Sequence, residues 1–313
     1  MKQRIQGIIP PMVTPLRSPD VLDVEGLERL VEHLISGGVH ALFILGTTGE
    51  GPALSHRLRR ELIDRTCRLV RGRLPVLVGI TDTSLIEALE IGKHAADAGA
   101  FGAVTACPYY FRADQSELLT YVERLLEQLP LPLMLYNIPY LARASFEPQT
   151  VERLLDRPGI LGVKDTTADL AQFDQLLPII RRRPDWSLLV GPEHYLAESV
   201  ARGGDGGVNG GANLVPRLFV ELFNAARAND ASRVDALQKL VVKLGALYRI
   251  GGTESGKFKG LKCAMSVSGI CDDLMTEPFG RLGDAKREEV RRFVESLRSE
   301  IALSVADAER PRT

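Results

Sequence analysis

Eight short apolar segments, each followed by a stretch with helical periodicity, most constrain what this chain can fold into. The strand-like segments lie at 7–12, 40–45, 75–80, 102–106, 133–137, 160–164, 187–190 and 206–208. Helical patterns separate them, at 24–36, 55–70, 84–98, 115–128, 148–155, 170–181 and 193–201. Strands that alternate with helices predict an α/β fold with a parallel sheet and right-handed crossovers. Eight such units within roughly 200 residues match the span of a (β/α)8, or TIM, barrel. An open doubly wound sheet is the runner-up, but no Gly-x-Gly-x-x-Gly follows the first strand. From about residue 213 onward the pattern is helical, with candidate helices at 216–228, 231–248, 257–267 and 284–303. The expected division is therefore a catalytic barrel over 1–228 and a C-terminal helical extension over 229–313. The mostly polar segment 304–313 is expected to fray.

Composition excludes several classes of function. The net charge of -1 and the pI near 6.6 favour neither nucleic acid nor an anionic membrane surface. No apolar run approaches the roughly 20 residues that span a bilayer. The N-terminal Met1-Lys-Gln-Arg-Ile-Gln-Gly7 lacks an apolar core of the signal-peptide kind. Cys67, Cys107, Cys263 and Cys271 form no metal-ligand spacing, and the five histidines are scattered. A cytoplasmic protein without a metal is the expectation.

Lys164 is the residue with the most unusual setting. It stands at the inner end of the apolar run Gly159-Ile-Leu-Gly-Val-Lys-Asp165. Burying an ammonium is expensive, so such a lysine loses its proton more readily and becomes a nucleophile able to form a Schiff base. The competing reading is a strand-end lysine that points into solvent or pairs with Asp165. The other eight lysines lie in the N-terminal segment or in helical or polar stretches.

Four further segments fall at the C-terminal ends of strands, where barrel enzymes carry their active residues. Gly46-Thr-Thr-Gly-Glu50 offers backbone amides and the Thr47 and Thr48 hydroxyls to an anion such as a carboxylate. Its alternative is a tight turn that caps the next helix. Cys107-Pro-Tyr-Tyr-Phe111 presents Tyr109 and Tyr110, either as phenols for the site or as packing and interface residues. Tyr136-Asn-Ile-Pro139 puts a tyrosine one strand away from Lys164, as a proton shuttle or as a rim packing residue. The run Gly203-Gly-Asp-Gly-Gly-Val-Asn-Gly-Gly211 either cradles a phosphate or lets a ligand approach the backbone. No lysine or arginine lies within it, which weakens the phosphate reading.

Taken together, Gly-Thr-Thr-Gly-Glu, Tyr-Asn-Ile-Pro and Gly-Val-Lys-Asp resemble the dihydrodipicolinate synthase / N-acetylneuraminate lyase family, whose members are class I pyruvate-dependent aldolases on a (β/α)8 barrel. The opening segment Gly7-Ile-Ile-Pro-Pro-Met-Val-Thr-Pro-Leu16 looks like that family's first strand, and the resemblance covers essentially the whole chain. It implies Lys164 as the Schiff-base lysine, Tyr136 as general acid/base, and Thr47 with Thr48, on the Gly46 turn, as carboxylate binders. It also implies that Tyr110 lends its hydroxyl to a neighbouring subunit, that Val208 offers backbone near the imine, and that the assembly is a homotetramer built as a dimer of dimers. No metal or organic cofactor is called for, because the protonated imine is itself the electron sink.

The branch of the family turns on a few positions. The synthase branch carries an arginine after Tyr-Asn-x-Pro, and Leu141 stands at the matching place, with Arg143 two residues late. The Tyr-Asn-Ile-Pro-x-Leu pattern and Lys164-Asp-Thr166 look more like the sialic acid lyase or 2-keto-3-deoxy-sugar-acid aldolase branches. Part of the sialate-type acidic and hydroxyl set is missing, but Glu193 remains as a hydroxyl-binding carboxylate. The expected partners are pyruvate and an aldehyde, or the 2-keto-3-deoxy acid they form, N-acetylneuraminate or 2-keto-3-deoxygluconate being examples. The rivals are a dihydrodipicolinate synthase, a phosphate-handling barrel, and a non-catalytic keto-acid sensor.

Overall fold

The chain's computed structural model describes residues 4–167 and 169–308. Eight parallel strands form its main sheet: β1 (Gly7–Ile8), β2 (Leu42–Ile44), β3 (Val76–Gly79), β4 (Gly102–Ala106), β5 (Leu133–Asn137), β6 (Ile160–Asp165), β7 (Ser187–Val190) and β8 (Gly206–Gly207). Their order across the sheet is β1-β8-β7-β6-β5-β4-β3-β2, so from β2 to β8 each strand neighbours the next in sequence, and β8 pairs with β1. A doubly wound sheet reverses direction at a switch point; this one never does. The sheet curls but is not fully closed into a barrel: a single isolated parallel bridge, Pro11 with Phe43, links the segment after β1 to β2. Three hydrogen bonds accompany the bridge: His40 N–H to Ile8 O, Phe43 N–H to Pro10 O and Met12 N–H to Phe43 O. Pro10 and Pro11 have no N–H to donate, which keeps this seam from becoming a regular ladder.

Between the strands run α1 (Val24–Ser36), α2 (His56–Val70), α3 (Leu85–Asp97), α4 (Gln115–Gln128), α5 (Pro139–Ala142), α6 (Pro148–Arg153), α7 (Ala171–Ile180) and α8 (Leu196–Ala201). Asp23, Ser55, Ser84 and Asp114 start α1 to α4 by accepting bonds from otherwise unpaired backbone N–H groups. The longer helices bury an apolar stripe, as α1 does with Leu27, Leu30, Val31 and Leu34.

The last part of the chain contains α9 (Pro216–Arg227), α10 (Ala231–Leu244), α11 (Leu247–Ile250), α12 (Glu254–Val267) and α13 (Asp284–Ala308). The single helix expected over 231–248 is broken at Gly245 into α10 and α11. The final helix runs to Ala308, five residues further than its pattern suggested, so part of the segment expected to fray is helical. The remainder of that segment, 309–313, lies outside the described residues. A short hairpin, Leu16–Ser18 with Val21–Leu22, was not foreseen. No helix among the described residues is long and apolar enough to cross a membrane.

Candidate active site

Strand alternation sends Lys164 and Asp165 to opposite faces of β6. Lys164 faces inward, is 4% exposed, and meets Tyr136 in direct register across β5 and β6. Its Nζ lies 3.8 Å from the Tyr136 ring centroid and 5.1 Å from that of Phe43. Burial lowers the Lys164 pKa from 10.5 to about 7. Asp165 does not pair with it: the Asp165 carboxylate accepts from Thr167 Oγ1 at 2.6 Å, and burial raises its own pKa to about 6. Both bland readings of Lys164, solvent exposure and an ion pair with its neighbour, therefore fail.

Lys262 was not singled out from the sequence, yet it is fully buried as well. Its surroundings explain why it differs from Lys164. Its Nζ donates to Thr14 O at 2.8 Å, Leu274 O at 2.6 Å and Glu50 Oε1 at 2.7 Å, which satisfies all three of its protons. Lys164 has aromatic faces in place of such acceptors.

Tyr136 is also buried, which holds its phenol protonated well above the ordinary range; the Thr47 hydroxyl, 3.4 Å from Oη, opposes this only in part. Asn137, the next residue, clamps the following loop by a reciprocal pair with Phe146, Nδ2 to O at 3.1 Å and N–H to Oδ1 at 2.8 Å. Thr47 and Thr48 head the turn after β2. Among the described residues no acceptor engages the N–H of either, so both amides are open to an anion.

These groups meet in one cavity of about 430 Å³, lined in part by Thr47, Thr48, Tyr136, Lys164, Thr166 and Val208. The Val208 N–H is spent on Val190 O at 2.8 Å. Thr166 Oγ1 is buried without a partner, and its N–H donates to Asn137 O at 2.8 Å. Glu193 also lines this cavity; its Oε1 accepts from Tyr248 Oη at 2.6 Å and from the Gly211 N–H. Its Oε2 has no partner, and burial raises its pKa. The glycine-rich segment does structural work in this neighbourhood. A Cβ on Gly206 would sit 2.0 Å from Gly7 O, so glycine there lets β8 close against β1.

Other expected positions fall elsewhere. Gly46 and Leu141, together with Tyr109 and Cys107, line an adjoining apolar cavity of about 240 Å³, which shares Thr47 and Tyr136 with the first. Leu141 also faces a third space of about 290 Å³. Arg143 is exposed and touches none of the three cavities. Tyr110, at 76% exposed and with Phe111 against it, lies outside its own chain's cavity. Sequence reasoning missed the roof, where Tyr248, Arg249, Lys257 and Phe258 come from the helical extension. A lone Tyr-Arg or Lys-Phe inside a helical pattern gives no signal of that role.

A cavity with a readily deprotonated lysine, a protonated phenol beside it and open amides for an anion is equipped for Schiff-base chemistry on a keto acid. Comparison with known proteins agrees. The profile of the Dihydrodipicolinate synthetase family matches residues 4–297. A 4-hydroxy-tetrahydrodipicolinate synthase of Phenylobacterium zucineum is 32% identical over 288 residues, covering 91% of this chain and 95% of that protein. The structure of a dihydrodipicolinate synthase from Bacteroides thetaiotaomicron is 49% identical, with a TM-score of 0.92 over 95% of this chain and all of that one. YagE of Escherichia coli K12, solved in complex with pyruvate, is 29% identical with a TM-score of 0.88 over 94% of this chain and 98% of its own. YagE is provisionally named a 2-dehydro-3-deoxy-D-gluconate aldolase. The chain belongs to the dihydrodipicolinate synthetase family. It is an enzyme, a carbon–carbon lyase of the Schiff-base type.

Proposed function

We propose that this enzyme is a pyruvate-dependent aldolase acting on a 2-keto-3-deoxy sugar acid, of which N-acetylneuraminate and 2-keto-3-deoxygluconate are examples. The observation that carries the chemistry is Lys164, a buried amine with a pKa near 7. In the cleavage direction Lys164 Nζ attacks the C2 ketone and water leaves, giving a protonated imine. The substrate carboxylate rests on the Thr47 and Thr48 amides and hydroxyls. Tyr136 gives its phenol proton to the hydroxyl that leaves C2 as water; the resulting phenolate accepts the C4 hydroxyl proton as the C3–C4 bond breaks, and the bond's electrons flow into the imine to give an enamine. The aldehyde departs, C3 is protonated, and water releases pyruvate from Lys164. Synthesis is the reverse. Thr166 and the Val208 backbone flank the imine, and no step calls for a cofactor.

The sugar-acid reading draws support from two places. The apolar Leu141 stands where a synthase arginine is expected, and Arg143 touches none of the three cavities. Glu193 Oε2 is an unspent acceptor in the cavity that holds Lys164, which Leu141 does not line, and is suited to a substrate hydroxyl. The second reading is dihydrodipicolinate synthesis, favoured by the 49% identity to the Bacteroides protein. A retro-aldol screen of sialic acids and 2-keto-3-deoxy acids, run beside condensation with the synthase's amino-aldehyde, separates the two. The reading further holds that the first 228 residues form a closed (β/α)8 barrel and residues 229–313 a helical extension. It also holds that Tyr110 completes the site of a neighbouring subunit within a homotetramer.

A further inference from the structure

The helical extension reaches the anion-binding turn through one buried ion pair. Glu50 ends the Gly46–Glu50 turn and is 5% exposed, and Lys262 lies in the middle of α12. Their 2.7 Å contact joins residues 212 positions apart. Glu50 Oε2 also accepts from the Thr276 N–H at 2.8 Å and Oγ1 at 2.9 Å. Thr14 Oγ1 donates to Gly49 O at 2.6 Å, and Lys262 holds Thr14 from the other side through its carbonyl. The turn is thus gripped from Thr14 in the segment after the first strand, from α12 and from the segment after α12.

The turn needs this grip. Leu45 and Glu50, the residues on either side of Gly46-Thr-Thr-Gly49, both take a φ of 58°, a left-handed conformation that non-glycine residues adopt at a cost. Such backbone persists only where its surroundings over-determine it. The turn's own bonds are few: Glu50 N–H to Thr47 O and Gly51 N–H to Gly46 O, each 3.1 Å. The Thr47 and Thr48 amides contribute nothing to holding it, because they are left open. A buried ion pair adds little net stability over a well-packed apolar substitute. What it does well is fix geometry, since each charge accepts only an arrangement that satisfies it.

We propose that Glu50 and Lys262 are positioning residues: through Glu50, α12 holds the Thr47–Thr48 amides in the orientation that receives the keto-acid carboxylate. α12 also carries Lys257 and Phe258 at the cavity roof, so a single helix sets both ends of the site. This inference rests on the proposed role of the turn as the carboxylate cradle.

The test is borohydride trapping of pyruvate on the full-length enzyme as pyruvate concentration is varied, with thermal midpoints measured in parallel. The pair is removed in the double variant Glu50→Gln/Lys262→Met, which leaves no unpaired buried charge. Thr276→Val is the milder variant, and it remains usable should the double variant fail to fold. Leu261→Ala is the control, a buried residue of α12 whose apolar side chain has no hydrogen-bonding atom to offer Glu50. In the double variant the half-saturating pyruvate concentration should rise about 10- to 100-fold, the scale of losing a hydrogen bond to a charged group. The limiting trapping rate at saturation should change by less than about threefold, since Lys164 is untouched. Thr276→Val should shift saturation in the same direction by a smaller factor. Leu261→Ala should lower the thermal midpoint and leave saturation alone. Unchanged saturation in both Glu50-directed variants, or an equal shift in Leu261→Ala, overturns the proposal while leaving Lys164 chemistry intact. A wild type that traps no pyruvate overturns the underlying reading along with it.

Discussion

Lys164 and Tyr136 are direct register partners on neighbouring strands, and the lysine nitrogen lies 3.8 Å from the tyrosine ring centroid. Burial drives the two groups in useful directions. It releases the proton of the amine near pH 7 and holds the proton of the phenol far above that range. One wall of the cavity therefore presents a readily deprotonated amine and a protonated phenol at the same pH.

The Lys164 pKa predicts a pH profile. Only the neutral amine attacks a ketone, so imine formation at saturating pyruvate should rise through about pH 7 and level off above it. Stopped trapping across pH 5 to 9 checks this, with the pH range set around the lysine midpoint. A profile that is flat through pH 7 would mean that Lys164 does not titrate there.

The same burial predicts a stability gain on removing the amine. The folded-state pKa of about 7 lies below the unfolded value of 10.5, so the unfolded chain binds more protons between them and Lys164 destabilises the fold. The cost is fully present below about pH 7 and fades as pH rises towards 10.5. Lys164→Met should abolish turnover and raise stability by roughly 2–5 kcal/mol at pH 6, with the gain shrinking by pH 9. Denaturant unfolding at the two pH values measures it, and a variant less stable than wild type at pH 6 contradicts it.

Tyr136→Phe should lower kcat by roughly 10²–10⁴-fold, the usual range for losing a general acid/base. Thr48→Val should cost less, because its amide remains. Steady-state kinetics in the cleavage direction decides, and near-normal kcat in Tyr136→Phe would show that another group carries the proton.

Much of this arrangement was legible in the sequence, for identifiable reasons. The strands 102–106, 133–137 and 187–190 coincide with the observed ones because each is a continuous apolar run whose ends are fixed by turn residues. Lys164 and Tyr136 stood out because a charge and a phenol at the ends of such runs break the pattern. The apolar runs 7–12 and 40–45 predict two longer strands at the seam between β1 and β2, and its prolines reduce it to one bridge. The roof was illegible: Tyr248 and Lys257 look like any polar residues of a helix, and only tertiary packing turns them towards Glu193 and the cavity. Lys262 was hidden in the same way, since nothing local to Gly260-Leu-Lys-Cys263 announces a partner in the turn after β2. A Cβ on Gly260 would lie 2.0 Å from Leu247 O, so that glycine lets α12 approach α11. Asp273, between α12 and α13, is buried against Arg281 and Arg287.

Tyr110 predicts the assembly. Its side chain and that of Phe111 are 76% and 82% exposed in the single chain, an expensive pair to leave in water. Sedimentation near neutral pH should show a dimer or tetramer, and Tyr110→Phe should reduce kcat more than it weakens assembly. A fully active monomer at micromolar concentration contradicts a role across an interface.

The apolar Leu141 predicts substrate preference. The synthase's carboxylate-bearing aldehyde should be a poor partner, because no charge-assisted bidentate contact awaits it at that wall. Polyhydroxy aldehydes should react better. Glu193→Gln should raise KM for the sugar acid more than it lowers kcat. Efficient dihydrodipicolinate formation by the wild type would reverse this assignment and bring Arg143 into consideration.

The central claim is that Lys164 is the nucleophile, and one measurement addresses it directly: reduction of the enzyme with borohydride in the presence of pyruvate, followed by peptide mass spectrometry. The account predicts one stable pyruvyl adduct, on Lys164, with loss of activity in proportion to its yield. Lys262, Lys257 and the remaining lysines should stay unmodified. An enzyme inactivated with Lys164 unmodified, or an adduct found mainly on another lysine, contradicts it.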